Sequence, residues 1–288
     1  MVLVFSRLNS VLLLTVFSLT FSLFVAAQET PKKEEPKKTE TKKEETKKAN
    51  EKPAAQTNAD IAKNPTAESV VESSIVVYGG FGGRNTLNQI RKTTLERGKM
   101  TLTNEDGTVD NTTYQRWIVR NESLVKEKNR FEQEFPNTKF SLIYNGEKTF
   151  GIFNNTVFTP QEAALNSFQN QIWHGLEALL RYKENGSKIE LAGRDKFMNV
   201  EFFIISVTDT ENRKTKFYIS VKTLRVMMLE YEDAGVKYKR KFYNYNYSQG
   251  TLVPYQSVLW ANDKQVEETN IMTITFGQKV EDTLFAGN

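Results

Sequence analysis

The sequence predicts a mainly β, α+β fold. It reads as one long antiparallel meander, cupped or half closed, with two helices ahead of it and a helical plug inserted midway. Three observations predict this. From Lys99 apolar residues recur with a period of two over most of the chain. Turn-forming clusters ("NEDGT", "PNT", "NGE", "TENRK", "EDAG", "SQG", "ANDK") separate these runs at hairpin spacing. One stretch, 159–186, replaces the alternation with a helical period.

The folded part does not start at Met1. Residues 1–27 carry one charge, Arg7, then the apolar run "VLLLTVFSLTFSLFVAA" with small residues at Val25 and Ala27. This predicts a secretory signal cut after Ala27. The alternative is an uncleaved anchor, since Val11–Ala27 reaches the lower limit of a membrane span, roughly 17 residues. Residues 28–63 contain "PKKEEPKKTETKKEETKKANEKP" (31–53), which has no aromatic or large aliphatic side chain, and are expected to form a disordered Lys/Glu-rich linker. The domain is expected over 64–288.

Charge and composition exclude several function classes. Of the net +4, Arg7 accounts for +1 and residues 28–66 for +2, with ten Lys against seven Glu and one Asp. The +1 left for 67–288 is no basic footprint for nucleic acid. The absence of cysteine removes disulfides and thiolate metal sites.

Within the domain, "NPTAESVVESSIVVYGG" predicts a helix with Asn64 as N-cap, a buried face of Val70, Val71, Ser74, Ile75 and Tyr78, and Gly79 as its stop. "GGFGG" (79–83) fits neither a P-loop nor a dinucleotide fingerprint, because a helix precedes it and Arg84-Asn85 follows. It is expected to join that helix to a second, "RNTLNQIRKT". Eleven strands follow, five before the insertion and six after it, the first being "KMTLTN" and the last "NIMTITFGQ". The insertion predicts one long helix from a Thr159-Pro160 cap to Gly186. Its apolar face is Ala164, Leu165, Phe168, Ile172, Leu176, Leu179 and Leu180, with Glu177 and Arg181 spaced to pair. A sheet this long must curl, and the helices can fill its concave side.

Catalytic chemistry finds little support. The single histidine, His174, lies in the inserted helix and reads as a surface or boundary residue. The carboxylate pairs Glu132/Glu134, Glu230/Glu232 and Glu267/Glu268 read as charges on a solvated strand face. The unusual feature is apolar excess: "VEFFIISV", "TFGIF" and "VMMLEY" are apolar at both parities, whereas an antiparallel meander alternates. Such strands either sit under a thick core or turn one face to an apolar cavity. Their pattern leaves open which parity faces the cup.

The order of four stretches resembles the outer-membrane lipoprotein-sorting proteins, the LolA/LolB-like superfamily. They are the N-terminal helix with "LNQIRKTTLERGKMTL", the hairpin "KFYISVKTLRVMMLEYE", the strand pair "YNYNYSQGTLVPYQSVLW" with Gly250 and Pro254, and the closing "ITFGQKVEDTLFAGN" with Asp282 and Phe285. Ser220 stands where that family has Asp, and Gly277 where it has Asn. The resemblance spans about 65–288. It implies an unclosed antiparallel β-barrel of about eleven strands with N-terminal helices and a helical lid, and non-enzymatic binding of acyl chains.

Pattern and resemblance together lead to one expectation. The protein is exported or periplasmic, monomeric and free of cofactor and metal, and binds lipid or lipoprotein acyl chains in a concave apolar cavity. A membrane protein is the donor or acceptor of the cargo. The expected lining is Trp117, Phe150, Ile152, Phe202, Ile204, Ile219 and Met228 on the sheet, with Phe168, Ile172 and Leu176 on the plug. Two other readings stand beside it: an envelope scaffold or interaction module whose core is self-filled, and a hydrolase working through Glu230 or Glu232.

Overall fold

The computed structural model describes residues 63–287, so the leader, nearly all of the Lys/Glu-rich segment and Asn288 lie outside the described residues. Helix α1 (Ala67–Gly79) begins at Thr66, whose hydroxyl oxygen accepts from the Ser69 amide while the Ser69 side chain accepts from the Thr66 amide. That reciprocal capping box moves the start two residues past the expected Asn64, because only Thr66 has a partner three positions on. Val70, Val71, Ser74, Ile75 and Tyr78 are the buried face, as expected. Gly80 (φ 62°) and Gly83 (φ 49°) bracket a single 3-10 turn leading into α2 (Gly83–Ile90). Two positive φ values within four residues explain the glycine run, which is a joint.

The period-two region forms one antiparallel sheet of thirteen strands. The first half comprises β1 (Thr93–Thr103), β2 (Val109–Val119), β3 (Lys128–Phe135), β4 (Thr138–Tyr144), β5 (Thr149–Phe153) and β6 (Thr156–Phe158). The second comprises β7 (Lys188–Phe197), β8 (Val200–Thr208), β9 (Lys214–Ser220), β10 (Val226–Asp233), β11 (Val236–Ser248), β12 (Thr251–Ala261) and β13 (Lys264–Phe276). Pairing of β1 with β13 joins the halves, and β6 and β7 remain as free edges, so the barrel is unclosed. The two strands beyond the expected eleven are those edges. β6 is three exposed residues, and β7 ("KIELAGRDKF") alternates only through Ile189 and Leu191 before its register shifts at Gly193. An edge strand can be this polar because half its surface meets water.

The insertion connects β6 to β7, one free edge to the other, and so crosses the concave face. It is two helices instead of the expected one, α3 (Glu162–Trp173) and α4 (Leu176–Leu180), and Gln161 replaces Thr159 at the N-cap position. The chain breaks at Gly175, whose ψ of 176° is extended and where a Cβ would lie 2.8 Å from the Gln171 carbonyl oxygen. His174 anchors the break: its Nδ1 is 2.7 Å from the Thr215 hydroxyl of β9, and its ring stacks on Tyr231 of β10 at 4.0 Å.

Register assigns the faces. Phe203 pairs with Ile219 and Ile205 with Phe217, and all four, with Val207 and Leu229, pack against α1 and α4 in the main core. Two buried polar contacts fix α1 on that face: Ser74 donates to the Leu224 carbonyl at 2.8 Å, and the Tyr78 and Tyr245 hydroxyls meet at 3.1 Å. A second core joins α3 to β1–β4 through Phe168, Ile172, Met100, Tyr114, Phe131 and Leu142. On the opposite, convex face the closing segment 277–287 covers a third cluster of Ile143, Phe150 and Phe285, with Trp117 and Ile152 beside it. Lys128–Asp282 (2.8 Å) and Arg130 to the Leu284 carbonyl (3.0 Å) hold that segment down.

Candidate functional site

Strand periodicity puts Arg116 and Ile118 on one side of β2, with Arg120 one residue past its end continuing the pattern, and Trp117 and Val119 on the other. Thr94 and Glu96 of β1 pair with Ile118 and Arg116, so they share that side. It faces the helices and bounds a cavity of about 210 Å³ between β1, β2, β11–β13 and the α3–α4 break. Ile118, Ile172, Leu176, Phe242, Ile271 and Phe276 form its apolar wall.

Charged side chains line the same cavity. Arg91, just after α2, is saturated: it donates to the Thr251 hydroxyl at 3.2 Å, the Leu252 carbonyl at 2.6 Å and Glu177 at 3.0 Å. Glu177 on α4 also pairs with Arg120. Burial alone would raise its carboxyl, but Arg120 and Arg91 hold it below the usual carboxylate range. Arg240 pairs with Glu267 at 2.7 Å and donates to Ser257 at 3.1 Å, and it likewise keeps Glu267 low against burial. Glu127 pairs with Arg181 of the turn after α4. Its burial pushes the carboxyl up to about 7, against the pull of Arg120 and Arg181. Buried charge is tolerated only when paired: Glu177 and Arg181 tie α4 and the turn after it to Arg91, Arg120 and Glu127 in the segments flanking the strands, and Arg240–Glu267 joins β11 to β13. The i,i+4 pair expected between Glu177 and Arg181 is not formed, because Glu177 turns to Arg91 and Arg120 while Arg181 turns to Glu127 and the Asn121 carbonyl.

The residues expected to line a cavity separate into three groups. Ile172 and Leu176 line it, and Phe168 packs two turns or less away in the α3 core. Ile219 is fully buried on the concave side, in the packed core under α1. Phe202 and Ile204 have the opposite parity to Phe203 and Ile205. Ile204 and Met228 are both paired with Tyr218, so these three residues share the convex face and are half buried there. Trp117, Phe150 and Ile152 also lie on the convex face, under the closing segment. The concavity therefore carries charged groups where a purely apolar lining was expected.

Two further expectations are corrected. Glu132 and Glu267 are buried, Glu132 between Arg130 (3.0 Å) and Lys139 (2.7 Å), so neither belongs to a solvated face. His174 is 4% exposed, and burial, helped by the charge of Arg213, lowers its imidazole to about 4. Sequence reasoning passed over Arg91, Arg116, Arg120 and Arg240. The available signal was "RWIVR", with two arginines and an isoleucine on one strand face. Among the described residues no group of three or more His, Asp or Glu side chains is arranged to hold a metal ion.

No protein-family model and no curated protein matches the chain. Solved structures do. A LolA superfamily protein from Nitrosomonas europaea superposes with a TM-score of 0.54 at 9% identity, over 77% of this chain and 97% of that one. A DUF1329 family protein from Desulfovibrio piger gives 0.54 at 12% identity, over 76% and 97%. At such identities the likeness concerns the fold: an open, antiparallel LolA-like sheet with helices on its concave side.

Proposed function

We propose that this chain, with its LolA-like fold, is an exported, non-enzymatic envelope protein. In this reading it holds an acyl chain of a lipid or lipoprotein between the concave sheet and the α3–α4 pair. The observation that carries the reading is the hollow itself: an unclosed sheet keeps a cavity of about 210 Å³ beneath two helices that part at Gly175. A dry apolar cavity of roughly 150 Å³ holds one benzene ring. The closed form therefore takes a chain end, and a longer chain enters with α3–α4 lifted from the sheet. Each methylene buried contributes about 0.8 kcal/mol. The apolar leader at residues 1–27 supports export, with signal peptide, linker and domain divided at residues 27 and 63. Among the described residues no helix is long and apolar enough to cross a membrane.

The test is mass spectrometry of an organic extract of the purified protein, with uptake of a fluorescent fatty acid by the delipidated protein. Acyl lipid should be recovered, the probe should bind, and Ile172→Asp should weaken uptake by about tenfold or more. Empty extracts with no probe uptake would overturn the reading. The packed core under α1 favours a second reading, an interaction module filled by its own side chains. That reading predicts the blank result.

A further inference from the structure

The buried donors of the cavity are not all used by the protein. Arg91 and Arg240 have acceptors on the strands and on Glu177 or Glu267. On β2 the account differs. Arg120 is 9% exposed and places Nη2 on Glu177, while its Nε and Nη1 have no acceptor among the described residues. Arg116, two strand repeats away on the same face, gives Nη2 to Gln171 of α3 and leaves its Nε without an acceptor. Both side chains line the cavity. A buried, unmatched guanidinium donor is costly, and here three donor nitrogens on two nearby arginines go unmatched.

The carboxylates nearby each already have donors. Glu96 accepts from the Tyr114 hydroxyl at 2.7 Å, Glu267 from Arg240 and Thr269, Glu127 from Arg181, and Glu177 from Arg91 and Arg120. Arg91, Arg116, Arg120, Arg181 and Arg240 thus face four glutamates, which leaves one positive charge. Beside the α3–α4 break, burial holds His174 neutral near pH 7, and the charges that act on it there are Arg213 against Asp209 and Asp233.

We infer that Arg116 and Arg120 form a subsite for a phosphate-class anion, the headgroup of an acyl lipid whose chain occupies the apolar wall. The inference rests on the acyl-chain reading above and specifies its cargo. Guanidinium groups match phosphate oxygens with paired, charge-assisted hydrogen bonds. The apolar wall adjoins the arginines through Ile118, which lies between them on β2. Gln171 and Glu177, which engage these arginines now, sit on either side of the Gly175 break, so lifting the helices frees donors for the anion.

The test is calorimetric titration of the delipidated full chain with three ligands. They are dihexanoyl phosphatidylglycerol, uncharged dihexanoyl glycerol, and inorganic phosphate. Phosphatidylglycerol should bind about tenfold or more tightly than the neutral diacylglycerol. Inorganic phosphate should compete with it, and Arg116→Gln, at a half-buried position, should abolish the preference. Equal affinity for the two lipids would overturn the anion subsite and leave the acyl reading standing. Phosphate binding that is sensitive to Arg116→Gln, without binding of either lipid, would keep the subsite as one for free phosphate and sink the acyl reading. An Arg116→Gln variant that weakens both lipids alike would overturn the subsite, since a structural role alone predicts it.

Discussion

The concave face has two halves, and they are built differently. Over β7–β10 it is solid: α1 and α4 press Ile75, Tyr78, Leu179 and Leu180 onto Phe203, Ile205, Phe217 and Leu229, all of them essentially without exposure. Over β1, β2 and β11–β13 it is hollow and edged by arginine–glutamate pairs. The solid half gives a long sheet its stability, which frees the hollow half from close packing. Polar pairs there hold α4 in place without filling the space.

That contrast can be broken first by truncation. Phe203→Ala should lower the unfolding free energy by about 3–5 kcal/mol, while Ile271→Ala, beside an existing hollow, should cost about 2 kcal/mol or less. Urea denaturation of the two variants decides it, and equal losses would erase the distinction. Next come the charges. Glu177→Gln strips the counter-charge from Arg91 and Arg120 and should cost about 3 kcal/mol, as removal of one buried partner does. Glu184→Gln, at the rim beside Arg84, should stay below about 1 kcal/mol.

His174 joins the two halves and sharpens the comparison through pH. Its pKa falls from 6.5 in the unfolded chain to about 4, so the folded state binds fewer protons between those values. Its contribution is therefore full above pH 6.5 and is lost as pH drops through 4. The loss is on the order of 3 kcal/mol. Glu127, raised by burial, contributes with the opposite sign, so the quantity to measure is the difference between wild type and His174→Gln across pH 7 to 4. That difference should shrink toward acid pH. The smallest effect belongs to the outer end of α1: Thr66→Ala removes the capping box and should cost about 1 kcal/mol by thermal denaturation.

The architecture was legible because strand period, turn chemistry and helix faces are local properties. Val70, Val71, Ser74, Ile75 and Tyr78 are buried as their spacing requires, and the glycine joint needed only its neighbours to be recognised. The site was less legible for a physical reason. In "VEFFIISV" both parities are apolar, and hydrophobicity alone does not distinguish the helix-covered Phe203 and Ile205 from the convex Phe202 and Ile204. Phe150 is buried, and Trp117 half buried, for a further nonlocal reason: residues 277–287 return across the convex face. Glu267 looked like a solvated strand charge because its 2.7 Å partner, Arg240, lies 27 positions away in the chain. The helix break at Gly175 likewise depends on Thr215 and Tyr231, far along the chain from His174.

The central claim is that the hollow half, and not the solid half, receives an acyl chain. Isoleucine methyl NMR of the delipidated protein during titration with lauric acid tests it most directly. The account predicts shifts at Ile118, Ile172, Ile271 and Ile274, which line the cavity, with Ile205 and Ile219 unmoved in the packed core. Shifts confined to Ile205 and Ile219, or none at all at saturating ligand, would contradict it.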